Sequence, residues 1–279
     1  MLWGYALVWA GQFMKRDPDP LMAKLKFLKD MGLSSTHVSL KELDEMGDAK
    51  REQVGQYLRD NDLHLMPGLY PRWADPDADA VRRRVEEQVA KLERYIPLCR
   101  PPNMLHTGVG ATHRFDRETP VQVVLDRMAR TMPEAARWAA SKGLPLGIEN
   151  HGDYYVSDLV EAIRRVPGLG LFLDTGNTYL IGETPLPAFE LAAPHVIGTH
   201  FKDHRVRPRP DTSPLTFEIG PATLGDGDVP LRECFAVLKA RCPRFATLNM
   251  MIELIPPSFK GDDPVESVEQ SVRFVKSLS

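Results

Sequence analysis

Leu144-Pro-Leu-Gly-Ile-Glu149 is an apolar run that ends on a carboxylate, and the pattern returns at nearly even spacing. Leu171-Phe-Leu-Asp174 places its acid 25 residues later, and Val196-Ile-Gly-Thr-His200 places an imidazole 26 residues after that. A fourth run, Met250-Met-Ile-Glu253, follows at 53 residues, stretched by the long segment from Asp203 to Asp228. Runs this short and apolar read as buried strands. An interval of about one strand–helix unit between them implies parallel strands joined by helical crossovers.

Working outward, the same alternation spans the chain. Strands are expected at Leu2–Trp9, Ser35–Leu40, Leu63–Leu69, Asn103–Thr107, Pro145–Glu149, Gly170–Asp174, His195–Phe201 and Ala246–Leu254. Helices are expected near Leu21–Met31, Asp48–Asp60, Asp77–Tyr95, Pro120–Ser141, Ser157–Arg165, Leu186–Ala192, Pro230–Arg241 and Asp263–Leu278. Ser157 before Asp158, and Asp228 ahead of Pro230, are expected as helix caps. Eight units with no hairpin signal and no low-complexity linker predict one α/β domain over residues 1–279, an eight-stranded parallel (β/α)8 barrel. No glycine-rich nucleotide fingerprint follows the first strand, which disfavours the doubly wound alternative.

Composition narrows the partners. The 279 residues carry a formal net charge of −3, with 43% hydrophobic and 26% charged residues. That balance gives no electrostatic reason to expect nucleic acid or an anionic membrane. The apolar segment Met1–Phe13 lacks a basic flank and a small-residue cleavage site, and no stretch approaches a membrane span. Three scattered cysteines, Cys99, Cys234 and Cys242, fit a reducing, cytoplasmic setting. A homo-oligomer is compatible with these features.

In a parallel barrel, polar residues at the C-terminal strand ends mark the active-site face. Glu149, Asp174, His200 and Glu253 stand at the last four of them. Three carboxylates crowded together repel and partly protonate unless a cation neutralises them. One divalent ion would do so, and three oxygens plus one nitrogen favour Mn2+ or Mg2+ and also admit Zn2+ or Co2+.

The segments Ile148-Glu-Asn-His151, Leu173-Asp-Thr-Gly-Asn177, His200-Phe-Lys-Asp203, Gly225-Asp-Gly-Asp-Val229 and Ile252-Glu253 resemble the xylose isomerase-like TIM-barrel superfamily. More narrowly, they are similar to its sugar phosphate isomerase/epimerase branch, with ketose 3-epimerases, hydroxypyruvate isomerases and inosose dehydratases. The resemblance implies metal ligands at Glu149, Asp174, His200 and Glu253, and acid/base carboxylates at Glu149 and Glu253. It implies an isomerase or epimerase acting on a small polyhydroxylated carbonyl compound through a metal-stabilised enediolate. A dehydratase of the inosose or 3-dehydroshikimate type is the alternative with the same ligands. Two departures set the chain apart from ketose 3-epimerases: Asn177 stands where they carry histidine, and Val206 where they carry arginine. Endonuclease IV-type nucleases of the superfamily also need a histidine at the position of Asn177, so a nuclease is disfavoured. A metal-binding barrel without catalysis is the last alternative, weakened by the presence of both glutamates.

Four further residues are expected to bind substrate. Period-two geometry turns Lys202 to the side of His200, and His151 to that of Glu149. Lys202 would then stabilise an enolate oxygen and His151 hold a hydroxyl. Asn177 is expected to donate to a hydroxyl or cap its turn, and His106 ends the fourth strand at the pocket. His37, inside the second strand, reads as core or interhelical. Trp9, Tyr70 and Trp73 read as an apolar plug or a sugar-facing surface. The Gly225–Asp228 turn carries two aspartates and disfavours a phosphate near its backbone, although Arg205, Arg207 and Arg209 lie close by.

Overall fold

The expected alternation is realised in eight parallel strands interleaved with helices. The computed structural model describes residues 1–6, 14–110, 112–255 and 264–278. The barrel strands are β1 (Leu2–Tyr5), β2 (Ser35–Val38), β3 (His64–Pro67), β4 (Leu105–Thr107), β5 (Leu146–Glu149), β6 (Leu169–Asp174), β7 (Val196–Phe201) and β10 (Asn249–Ile252). They pair in the order β3-β2-β1-β10-β7-β6-β5-β4. A parallel bridge between Gly68 and His106 joins the two ends, so the sheet curls into a nearly closed barrel.

The crossovers are α1 (Pro20–Met31), α2 (Leu40–Asp44), α3 (Asp48–Asp60), α4 (Ala78–Glu93), α5 (Val121–Ser141), α6 (Val156–Arg165), α7 (Thr175–Leu180), α8 (Pro185–Ala192), α9 (Leu231–Arg241) and α10 (Pro264–Lys276). Local chemistry sets several boundaries. Asp19 caps α1 by accepting from the Met22 N–H, with Pro20 at the first position. The capping box of Ser39 and Glu42 starts α2, which is why the second strand stops at Val38 rather than Leu40. Asp77 accepts from two N–H groups at the start of α4.

Several expectations need correction. Ser157 lies inside α6; the capping contact comes from Asp158, whose carboxylate accepts from the Tyr155 N–H. Asp228 does not cap α9 but accepts from the Val206 N–H. The long segment after the seventh strand contains an antiparallel hairpin, β8 (Asp203–Pro208) with β9 (Phe217–Ala222). Its strands carry alternating arginines and exposed apolar residues, without a tight two-residue turn to announce them. Trp9 and Asp263, at the ends of an expected strand and helix, lie outside the described residues.

Inside the barrel, Met66, Met104, Phe172 and Met251 form a small apolar layer separate from the main core between sheet and helices. Gly198 makes room for it, since a Cβ there would stand 2.7 Å from the Phe172 ring. Strand alternation then orders each inward file: Asn249, Met251 and Glu253 run from polar base through apolar centre to charged mouth. Among the described residues, no helix is long and apolar enough to cross a membrane.

Candidate metal centre at the barrel mouth

Glu149, Asp174 and His200 stand at the ends of β5, β6 and β7, and Glu253 follows β10 directly. Register fixes their proximity: Asp174 pairs with His200 across β6 and β7, and the Glu253 N–H donates to Phe201 O at 2.9 Å. One ligand atom from each of the four lies within 4.8 Å of the others. His200 is central, with Nδ1 2.8 Å from Glu149 Oε1, 3.6 Å from Glu253 Oε2 and 3.7 Å from Asp174 Oδ2. Lys202 also enters the cluster, Nζ lying 2.9 Å from Asp174 Oδ2 and in closer contact with Glu253.

The two oxygens of Asp174 have separate work. Oδ1 accepts from the Asn177 N–H at 2.8 Å and so caps α7, which makes Asp174 rather than Asn177 the cap of this turn and removes one of the two roles expected of Asn177. Oδ2 is buried without a hydrogen bond from another described residue, as is Glu253 Oε2, although both form ion pairs with the Lys202 ammonium. Asn150 clips the Asp174 backbone, donating to its carbonyl at 3.0 Å and accepting from its N–H at 2.7 Å. Acceptor oxygens that are buried, converging and incompletely satisfied suit a hard divalent cation, and this donor set could hold one.

Burial works against every charge here, so partners decide each ionisation. Burial disfavours the Glu149 carboxylate, yet His200 and His106 outweigh it and hold its pKa well below the usual range. Asp174 is also lowered, Lys202 and His200 overcoming burial. Glu253 goes the other way, raised by burial and by neighbouring Asp174 and Glu149 despite His200 and Lys202. Burial also opposes a charged His200, but Glu253 and Glu149 raise its pKa to about 10. His200 and Lys202 thus balance much of the carboxylate charge.

A chain of side chains supports Glu149 from the other side. His106 Nε2 lies 3.0 Å from Glu149 Oε2, and Tyr70 Oη is 2.5 Å from His106 Nδ1. Both the His106 and His200 rings stand edge-on to Phe172, with centroids 4.6 Å away. Sequence reasoning missed His37, whose Nε2 is 2.8 Å from His200 Nε2. It is no mere core residue: with Nδ1 of His200 turned to the carboxylates, His37 meets the remaining ring nitrogen and fixes the ring's orientation. The signal was available in the alternation Ser35, His37, which points both inward.

Other expected residues divide. The Lys202 ammonium donates to Asn177 Oδ1 at 3.2 Å, leaving the buried Asn177 Nδ2 without a partner among the described residues. His151 is exposed and borders, with His106, Glu149 and Tyr70, a cavity of about 260 Å³ beside the cluster. Trp73 is fully buried and donates to Thr107 Oγ1, so it is a plug, whereas Tyr70 is half exposed at the cavity. At the Gly225–Asp228 turn, the N–H groups of Gly225, Gly227 and Val229 all donate to the Asp203 carboxylate, at 2.9 to 3.2 Å. The chain's own anion therefore fills the nest of N–H groups where a phosphate would sit.

Comparison with known proteins places this geometry. A search of curated proteins gave no match. The fold is similar to a xylose isomerase-like TIM barrel protein from Mycobacterium smegmatis in complex with magnesium, at 18% identity and TM-score 0.65, covering 95% of this chain and 90% of that one. It is similar to D-psicose 3-epimerase with D-tagatose from Clostridium cellulolyticum H10, at 13% identity and TM-score 0.71, covering 100% and 99%. A third similar structure, the "probable 3-DHS dehydratase AsbF" of Bacillus anthracis, has 14% identity and TM-score 0.67, covering 99% of each chain. Residues 25–278 match the family described as xylose isomerase-like TIM barrel, and the chain belongs to that family.

Proposed function

We propose that the protein is a metal-dependent isomerase or epimerase of a small, ketose-like polyhydroxylated carbonyl compound. The observation that carries this reading is the pair of glutamates beside His200, Glu149 at 2.8 Å and Glu253 at 3.6 Å, in a buried cluster whose Glu149 borders a cavity. A divalent ion, Mn2+ or Mg2+ by the hardness of the donors, would supply Lewis acidity for the substrate's carbonyl and adjacent hydroxyl oxygens from Glu149, Asp174, His200 and Glu253. One glutamate removes the proton on carbon beside the carbonyl, and the other returns one. Return to the opposite face of the same carbon epimerises it; return to the neighbouring carbon isomerises the sugar. His106 steadies Glu149, Lys202 and the free Asn177 amide donate to substrate oxygens, and His151 takes a hydroxyl at the rim. The three cysteines are buried and free, which suits a cytoplasmic setting.

A dehydratase is the second reading, favoured by Lys202. Its ammonium sits among the carboxylates and is held protonated, the acids outweighing burial, so it would donate a hydrogen bond to a departing hydroxyl. Incubation in D2O with ketoses and keto-inositols separates the outcomes. Epimerisation or isomerisation adds deuterium beside the carbonyl, whereas dehydration removes the mass of one water. Glu149→Gln and Glu253→Gln should each slow exchange by about 10²–10⁴-fold while metal content is measured on every variant. Wild-type exchange in both metal-bearing variants would refute the paired-glutamate chemistry.

A further inference from the structure

Arg72 lines the cavity beside Glu149 and also lines a second cavity of about 300 Å³, whose other lining residues include Asp75, Thr112, Asp116, Thr119 and Arg127. We propose that this second cavity is a subsite for the distal, uncharged, hydroxyl-rich unit of an extended substrate, for example the glycosyl group of a glycosylated ketose. Arg72 would lie between the two units and bond to both. The proposal rests on the reading of the mouth as a site for polyhydroxylated carbonyl compounds and names the substrate class more narrowly.

Four observations support it. The two spaces measure about 260 and 300 Å³, so only together do they extend well into the ~300–1,000 Å³ range of ligand pockets. The lining of the second is charge-balanced, two arginines against two aspartates, which favours neutral hydroxyls over a lone anion. Asp75 is already bound to Arg84 at 2.7 Å, and Arg127 donates to Ala74 O at 2.8 Å, so these groups form a fixed wall. Arg72 differs from them: it is exposed, and its guanidinium makes no hydrogen bond or ion pair with another described residue.

The backbone of Arg72 adds to the case. Its φ is +62°, a left-handed conformation that a residue bearing a Cβ adopts only where the surroundings impose it. Those surroundings are visible. The Asp75 N–H donates to Arg72 O at 3.0 Å, the Ala74 N–H donates to Val109 O at 3.3 Å, and Arg84 Nε donates to Pro71 O at 2.7 Å. Gly110 allows the close approach, because a Cβ there would stand 3.2 Å from Arg72 Cα. The loops after β3 and β4 thus hold a strained arginine, without a hydrogen bond or close ion pair to another described residue, at the border of two polar cavities.

The test uses unreactive reduced sugars as well as ketoses. Titration calorimetry on the intact protein compares a monosaccharide alditol, the same alditol bearing one glycosyl unit, and the corresponding aldonate. The glycosylated alditol should bind about tenfold more tightly than the plain one, and Arg72→Ala and Asp116→Ala should each remove most of that difference. Deuterium exchange should show the same preference in kcat/KM for glycosylated over free ketose. Equal affinities in the wild type, a preference that survives both substitutions, or tightest binding of the aldonate would overturn the proposal. If the binding preference holds and depends on Arg72 while no ketose exchanges deuterium, the subsite stands and the proton-transfer reading falls. Exchange with no preference for the longer compound would uphold proton transfer and eliminate the subsite.

Discussion

At the N-terminal end of the barrel, Ser35 Oγ donates to Asn249 Oδ1 at 2.6 Å, and Asn249 Nδ2 donates to Asn103 Oδ1 at 3.4 Å. Asn103 in turn donates to Leu65 O at 2.5 Å. At the mouth, a Met and Phe layer away, Glu149, Asp174, His200, Lys202 and Glu253 are largely withdrawn from water. The base is neutral and hydrogen-bonded, while the mouth is charged and, among the described residues, holds Asp174 Oδ2 and Glu253 Oε2 by ion pairs with Lys202 and His200. Buried polar groups that are all paired hold a fold together; buried groups left short of hydrogen bonds store free energy that a ligand can release. One barrel thus separates stability from reactivity along its axis.

The contrast is broken most severely by removing the cation that the mouth supplies for itself. In metal-free protein, Lys202→Met strips a partner from two buried carboxylates and should cost about 3–5 kcal/mol in urea unfolding. The loss has a pH signature. Glu253 is already raised by burial and by Asp174 and Glu149, and losing Lys202 raises it further. An acid raised in the folded state favours folding below its unfolded pKa and loses that contribution as pH rises through the folded value. The variant should therefore recover stability on acidification from neutral pH, relative to wild type. A pH-independent deficit would contradict the electrostatic account.

At the base, Asn249→Leu removes a group with two partners and leaves the Ser35 hydroxyl without its acceptor, while Asn103 Oδ1 keeps the Met104 N–H. A cost of about 1–3 kcal/mol is expected, unchanged by divalent metal or by pH between about 5 and 8. Metal-dependent destabilisation would erase the distinction between the two ends. The smallest effect belongs to His37, which meets the far nitrogen of His200 and stands edge-on to His106 and Phe172. His37→Leu should weaken divalent-ion affinity by about tenfold in calorimetric titration, with His37→Gln recovering part of it. Undiminished affinity in the leucine variant would remove His37 from the site's support.

Much of this was readable in the chain because strand ends are local. Each of Glu149, Asp174, His200 and Glu253 follows its own apolar run, so counting strands was enough to bring them to one face. What the sequence concealed depends on partners far away in it. Asp203 gathers N–H groups from Gly225, Gly227 and Val229, and nothing in Asp203 itself announces that the turn is already filled. The β8–β9 hairpin was hidden by its exposed Leu215, Phe217 and Ile219, which do not follow the polar-out pattern of a surface strand. His37 was misjudged for a simpler reason. A histidine in the middle of a short strand looks like core until the inward file is followed up the barrel to His200.

If the mouth's converging oxygens form a cation site, anomalous diffraction from crystals soaked in Mn2+ shows it most directly. One strong peak is expected, bounded by Glu149, Asp174, His200 and Glu253 and lost in Asp174→Asn. Mn2+ in solution should also stabilise the fold, by about 2.7 kcal/mol at a hundredfold excess over Kd. A protein that takes up no Mn2+ at these four residues, or binds it elsewhere on the barrel, would contradict the assignment.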